Sequence, residues 1–367
     1  MGLLQYAEKS QGANGFASDI AWVVLQFLIC IMNRRISKLI VFVLLVTVSC
    51  EKAFMKKDPA NDPVTNFDLL WGTLDKQYAY FTYKHIDWSS VYQIYRPLVH
   101  DEMSQKELFK VMSDMLYLLK DGHTNLTSPF DRSRNWEWYL NSPSNFNFDI
   151  LQRNYLGNNY RITGPFLNTV IDSVGYIYYG SFGNEVKESD MDFILQEFSN
   201  VKGMIIDVRN NTGGETENIA RIASRFTNQK VITQYWLYKS GPEHDQFYHP
   251  EAKYLDPAGS IRFTENIVVL TNRRCYSATN DFVATMKALP NVTVIGDTTG
   301  GGGGLPFNSE LPNGWQFRFS STMTLDAAGV NIESGISPHI QLNMTPEQEL
   351  TGSDTILGYA IKFLKNK

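Results

Sequence analysis

The sequence predicts an α/β core preceded by a small helical domain, and two patterns carry that reading. From Val174 onward short apolar runs with strand character alternate with runs of helical spacing. Strands alternating with helices build a mainly parallel sheet covered by helices. Ahead of that region, residues 66–121 repeat apolar side chains at helical intervals, which marks a set of amphipathic helices.

The helical part opens near Asn66, with Phe67, Leu70, Trp71 and Leu74 on one face. A second short helix follows Asp87 through Val91, Ile94 and Tyr95. The third is the clearest: Ser104 and Glu107 form a capping box, Leu108, Val111, Met112, Met115, Leu118 and Leu119 recur at helical spacing, and Gly122 supplies a C-terminal stop. Residues 126–173 are aromatic and asparagine-rich with no sustained period, and they receive no assignment. The α/β core then spans 174–367, with strands expected at 176–182, 204–208, 231–238, 267–270 and 292–295, and helices at 191–198, 217–226 and 278–289.

Residues 1–50 read as a leader rather than as fold. Arg34, Arg35 and Lys38 precede an apolar run over 39–46, and Thr47, Val48 and Ser49 lead to Cys50. A charged segment, an apolar segment too short for an ordinary membrane span and a small residue before cysteine follow the plan of a lipoprotein signal. Thr47 stands where leucine is usual, and an uncleaved anchor or plain signal peptide is the alternative. The expectation is a lipid on Cys50, a membrane attachment through it, residence in a bacterial cell envelope, and a polar tether over 51–65. Residues 1–31 would be an upstream extension.

Composition narrows the function. A net charge of −5, with 43% hydrophobic and 19% charged residues, suits a globular protein and gives no basic footprint for nucleic acid. Of Cys30, Cys50 and Cys275, only Cys275 would remain a free thiol, so no disulfide framework or cysteine metal site is available. The histidines at 85, 100, 244, 249 and 339 show no metal-ligand spacing, and neither metal nor other cofactor is expected.

Three loops carry residues that a core does not need. Asp121-Gly122-His123-Thr124 lies just past the third helix. Asp207-Val208-Arg209-Asn210-Asn211-Thr212-Gly213-Gly214 follows a buried strand, and its paired glycines allow close backbone approach with amides facing outward; a plain tight turn is the alternative. Arg274-Cys275-Tyr276-Ser277-Ala278 joins a strand to a helix. Ser277 there is either an ordinary N-cap or a hydroxyl exposed at the positive end of a helix dipole, as an acyl-transfer nucleophile requires.

In that order the loops, with the later segments Gly300 to Gly304 and Asn331 to Ile340, resemble the tail-specific, or C-terminal-processing, serine peptidases over residues 66–345. The resemblance implies a crotonase-like core and peptide hydrolysis through an acyl-enzyme on Ser277, acting on extended or unfolded polypeptide. It implies an oxyanion hole from the Ala278 amide and one from Gly213 or Gly214. The general-base lysine of many members is missing from the glycine run, and Lys287 lies about three helical turns beyond Ser277. The tricorn-like branch uses histidine instead, which implies His123 as base. Its acidic partner matches Glu333, with Asp121 as the local competitor. The segment 125–172 is too short for an intact PDZ domain. Two rivals remain open: a non-catalytic binding protein for apolar ligands or peptides, with Trp136, Trp138 and Tyr139 as candidate lining, and a different serine hydrolase acting on small esters or cell-wall peptides. Oligomeric state is not legible.

Overall fold

The computed structural model describes residues 58–136 and 140–367, of which 60–367 form one compact unit. The expectations for Cys50 and for Trp138 and Tyr139 fall outside the described residues.

The expected helices are present and the capping box at Ser104 is as expected, but the third helix ends at Tyr117, and the left-handed residue beyond it is Lys120 rather than the expected stop Gly122. Helix α1 (Pro63–Gln77) starts on Asp62, whose Oδ1 accepts from the Thr65 amide at 2.7 Å, with Pro63 at the first position where its missing N–H costs nothing. After the short α2 (Phe81–Lys84) and α3 (Trp88–Tyr95) comes α4 (Gln105–Tyr117), closed at its start by the Ser104 and Glu107 capping box. These helices bury Phe67, Leu70, Trp88, Leu108 and Met112, but their core is completed from far along the chain by Leu311, Trp315, Phe317 and Phe319. Those four belong to or flank a three-stranded antiparallel sheet in which β11 (Gln316–Ser320) lies between β1 (Asn125–Thr127) and β10 (Pro306–Glu310).

The central sheet has seven strands in the order β13 (Ile340–Gln341), β9 (Val292–Gly296), β8 (Ile267–Thr271), β5 (Met204–Asp207), β4 (Val174–Tyr178), β3 (Phe166–Ile171) and β2 (Arg161–Thr163). From β13 to β4 every pairing is parallel, and β3 and β2 add an antiparallel edge built from the previously unassigned segment. Both faces are covered. Helices α5 (Glu188–Glu197), α6 (Glu217–Ala223) and α7 (Ala278–Lys287) pack Met191, Ile194, Ile222, Phe282 and Met286 against Met204, Ile206, Val269 and Val294. On the other face the C-terminal helix α8 (Thr355–Lys365) packs Ile356, Leu357, Ala360 and Leu364 against Ile205, Val268, Leu270 and Ile295. A strand buried on both faces has no need of alternation, hence the unbroken runs Ile205-Ile206 and Val268-Val269-Leu270.

One strand departs from the expected arrangement. Residues 231–238 do form β6 (Val231–Tyr238), but it leaves the parallel sheet and pairs antiparallel with β12 (Thr322–Asp326) and β7 (Glu251–Leu255). Its buried Thr233 and Gln234 and half-buried flanks fit a sheet with one wet face rather than the doubly covered core. The strand expected over 176–182 ends at Tyr178, after which Phe182 pairs with Gly214 in an isolated bridge.

Candidate active site

Ser277 occupies the junction between β8 and α7 in a backbone conformation of φ 57° and ψ −125°, a region that glycine ordinarily fills. Three backbone hydrogen bonds hold the turn there: Ser277 N to Gly301 O at 2.9 Å, Tyr276 N to Asn211 O at 3.2 Å and Gly300 N to Cys275 O at 2.7 Å. The side chain makes no capping bond to its own helix, so the hydroxyl is left for another partner. That partner is His123, whose Nε2 lies 2.9 Å from Ser277 Oγ. Cys275, two residues earlier, is buried with its Sγ donating to Val208 O, and burial pushes the thiol up to about 12. It packs; it does not react.

His123 is positioned by the turn after α4. Its amide donates to Asp121 Oδ1 at 2.8 Å, and its ring lies 5.1 Å from that of Tyr276. Burial pulls its pKa down to about 4; the Asp121 charge opposes this, and the Arg318 and Lys84 charges add to it. At neutral pH the imidazole is therefore uncharged and able to accept a proton. Nδ1 makes no hydrogen bond, although the Gly304 backbone lies near enough to favour the protonated ring.

Neither carboxylate proposed from sequence reaches that ring nitrogen. Glu333 is buried, with Oε1 accepting from Lys84 Nζ at 2.7 Å and Oε2 from the Gly303 amide at 3.0 Å. Burial raises its pKa to about 7, with Lys84 pulling the other way. Asp121 touches the backbone of His123 rather than its ring. Burial pushes Asp121 up, but Lys84, His123 and the His123 amide together outweigh this and hold it below the ordinary carboxylate range. Lys84 is thus a member of the site that sequence reasoning missed. Nothing in Tyr83-Lys84-His85 announces it, because its two anionic neighbours come from residues 121 and 333.

The glycine turn after β5 lies against the turn that carries Ser277. A Cβ added to Gly213 would sit 2.7 Å from Tyr276 O and 3.0 Å from the Ala278 nitrogen, so only glycine permits this approach. The Gly213 amide is itself engaged, donating to Asn211 Oδ1 at 3.0 Å, and the same oxygen accepts from Thr279 Oγ1 at 2.7 Å. The amides of Gly214 and Ala278 carry no hydrogen bond within the described chain. Behind this loop, Arg209 is fully buried between Asp207 (2.6 Å) and Asp354 (2.8 Å), and Tyr176 Oη donates to Asp207 Oδ2 at 2.8 Å. The C-terminal helix, through Asp354 at its N-cap, therefore braces the glycine turn from behind. Lys287 donates to Ser337 O at 2.8 Å, at the far end of α7 from Ser277.

Comparison with known proteins agrees with this arrangement of loops. The model of peptidase family S41 matches residues 173–342, and that of the tricorn protease C1 domain matches residues 59–117. A crystal structure of a candidate peptidase from Parabacteroides merdae is 47% identical, with a TM-score of 0.80, covering 83% of this chain and 97% of that one. The chain belongs to peptidase family S41. Family S41 comprises serine peptidases acting on polypeptides, including the C-terminal-processing group. The carboxy-terminal processing protease CtpA of Bacillus subtilis is 27% identical over 175 residues, 47% of this chain, and the match spans 36% of CtpA. Mature CPAF, solved in complex with lactacystin, is 13% identical with a TM-score of 0.62 over 83% of this chain and 97% of that one, a likeness of fold alone. The S41 fold here is mixed α/β with a small N-terminal helical region.

Proposed function

We propose that this S41 member is a serine endopeptidase that hydrolyses extended or unfolded polypeptide, possessing a crotonase-like core, with Ser277 as nucleophile and His123 as general base. The observation that carries this reading is the 2.9 Å approach of His123 Nε2 to Ser277 Oγ. His123 takes the hydroxyl proton as Ser277 attacks the scissile carbonyl, then returns it to the leaving amine. The negative charge that develops on the carbonyl oxygen is met by the Gly214 and Ala278 amides, with the positive end of α7 behind the second. Gly213 contributes by bringing the two turns together. Asp121 acts on His123 directly, and Glu333 joins the same buried charge cluster through Lys84, the cation that the two carboxylates share. No cofactor takes part. A lipid on Cys50 would tether the enzyme to a membrane of the cell envelope, leaving the site free to meet chain segments that lack stable structure.

Treatment with a fluorophosphonate, followed by mass-spectrometric mapping, tests the nucleophile. Ser277 should carry the label and Ser277→Ala none. A wild-type protein that is unlabelled at Ser277 and cleaves no unfolded polypeptide would remove the peptidase reading.

A further inference from the structure

Asp62 opens α1 only twelve residues after Cys50, a stretch that spans at most about 40 Å when fully extended. A lipid on Cys50 would therefore hold the root of α1 close to the membrane. The surface beside that root is basic and aromatic. Asn66, in the first turn of α1, accepts at Oδ1 from the Asn313 amide at 3.2 Å, and Asn313 Oδ1 accepts from the Trp315 amide at 3.0 Å. The Trp315 ring lies 5.6 Å from that of Phe109 and 5.9 Å from that of Phe130, and those two rings are 5.5 Å apart.

Phe109 and Phe130 line a groove of about 620 Å³ between α4 and the turn over 128–134. Phe130 is 46% exposed, an uncommon state for so large an apolar ring. Four cations share the groove with them: Lys106 and Lys110 from α4, Arg132 and Arg134 from the turn. Only two carboxylates lie among them, Asp114 paired with Lys110 at 2.6 Å and Asp131 at 3.9 Å from Arg134. Lys106 and Arg132 have no carboxylate within ion-pairing distance among the described residues. This excess of positive charge stands out on a chain whose net charge is −5.

Exposed aromatic rings among lysines and arginines suit the boundary of an anionic bilayer, where the rings enter the headgroup layer and the cations meet phosphate. Lys52, Lys56 and Lys57 in the tether add to the same attraction. We propose that the face formed by α4 and the 128–134 turn docks on the anionic lipid surface to which the chain is tethered. The tether limits the distance of the enzyme from the membrane, and this face sets its orientation. The inference rests on the lipid-anchor part of the proposed function and goes beyond it.

Residues 51–367 carry the whole compact unit without lipid, and their binding to vesicles of phosphatidylcholine, with or without phosphatidylglycerol, reads the face directly. The protein should sediment with the anionic vesicles and not with the neutral ones, and added salt should release it. Lys106→Gln/Lys110→Gln should weaken that binding roughly 10-fold or more, at about fivefold per cation removed. Lys362→Gln/Lys365→Gln on α8 makes the same change in net charge and should leave binding within about twofold. No preference for anionic vesicles, or equal weakening in the two double variants, would overturn the docking face. So would polyglutamate that binds, and is lost in Lys106→Gln/Lys110→Gln, where vesicles do not bind; the groove would then belong to an acidic peptide. A polarity-sensitive fluorophore on Phe130→Cys, in a chain whose other thiol is the buried Cys275, should shift to the blue on anionic vesicles. Binding without that shift would put the contact on another face. Mass-spectrometric detection of acylated Cys50 in the full chain tests the tether by itself, so its failure and that of the docking face give different results.

Discussion

Lys84 Nζ donates to Glu333 Oε1 across 2.7 Å, tying the short helix α2 to the turn that follows β12 and closing a pair that is almost wholly out of water. The same ammonium is attracted to Asp121 and donates to Leu119 O at 3.0 Å, so one cation from the helical region serves two carboxylates beside His123.

Removing that cation should be costly in a pH-dependent way. Lys84→Met leaves Glu333 buried without its partner, and the loss should be on the order of 3 kcal/mol in urea unfolding, with partial recovery in Lys84→Met/Glu333→Gln. Glu333 has a folded pKa raised to about 7 from the ordinary 4.5. Between those values the folded chain binds more protons than the unfolded one, so this contribution is full below pH 4.5 and is lost as pH rises through 7. Without Lys84 the folded value moves higher still. The single variant should therefore keep losing stability above pH 7, where the double variant does not. Parallel curves for the two would separate Glu333 from the effect.

The acid limb of catalysis should report His123. With its pKa lowered to about 4 by burial, the imidazole stays neutral well below the usual histidine range, and kcat/KM should hold from pH 7 to about pH 5 before falling. The stability linkage has the same direction: the unfolded ring protonates near 6.5 and the folded one near 4, so stability is lost as pH falls through that interval. His123→Ala should lower turnover by roughly three orders of magnitude or more. An acid limb centred near pH 6.5 would show that the ring is solvated, and near-normal turnover in the variant would take the histidine out of the mechanism.

Ser277 sits in strained backbone, at φ 57° without the freedom of glycine. Ser277→Gly should abolish labelling and hydrolysis yet stabilise the fold by about 1 kcal/mol, since a non-glycine residue in such a conformation costs about 1–3 kcal/mol. Ser277→Ala, which keeps the strain, should show no such gain. Equal stability for the two variants in urea unfolding would mean that the conformation carries no penalty.

The sequence by itself determined the local structure and the chemistry-bearing loops. Capping at Ser104, the apolar runs at 204–208 and 267–270, and the strand-to-helix turns that carry Gly213 and Ser277 are all encoded within a few residues, because propensity, capping and burial pattern are short-range properties. Resemblance then gave Ser277 and His123 as a pair. Only the tertiary structure decided what surrounds them. The strand at 231–238 has a legible pattern, but which sheet it joins depends on the available edge at 322–326. Lys84 lies in a stretch with no motif, and Glu333 was expected at the imidazole but instead meets that lysine and the Gly303 amide. The Gly213 amide, a candidate donor on sequence, is spoken for by Asn211 two residues earlier. In each case the deciding quantity is a distance between groups tens or hundreds of residues apart, or the orientation of one amide. Desolvation then sets the charge of each group according to which others share its pocket, and no spacing along the chain records that.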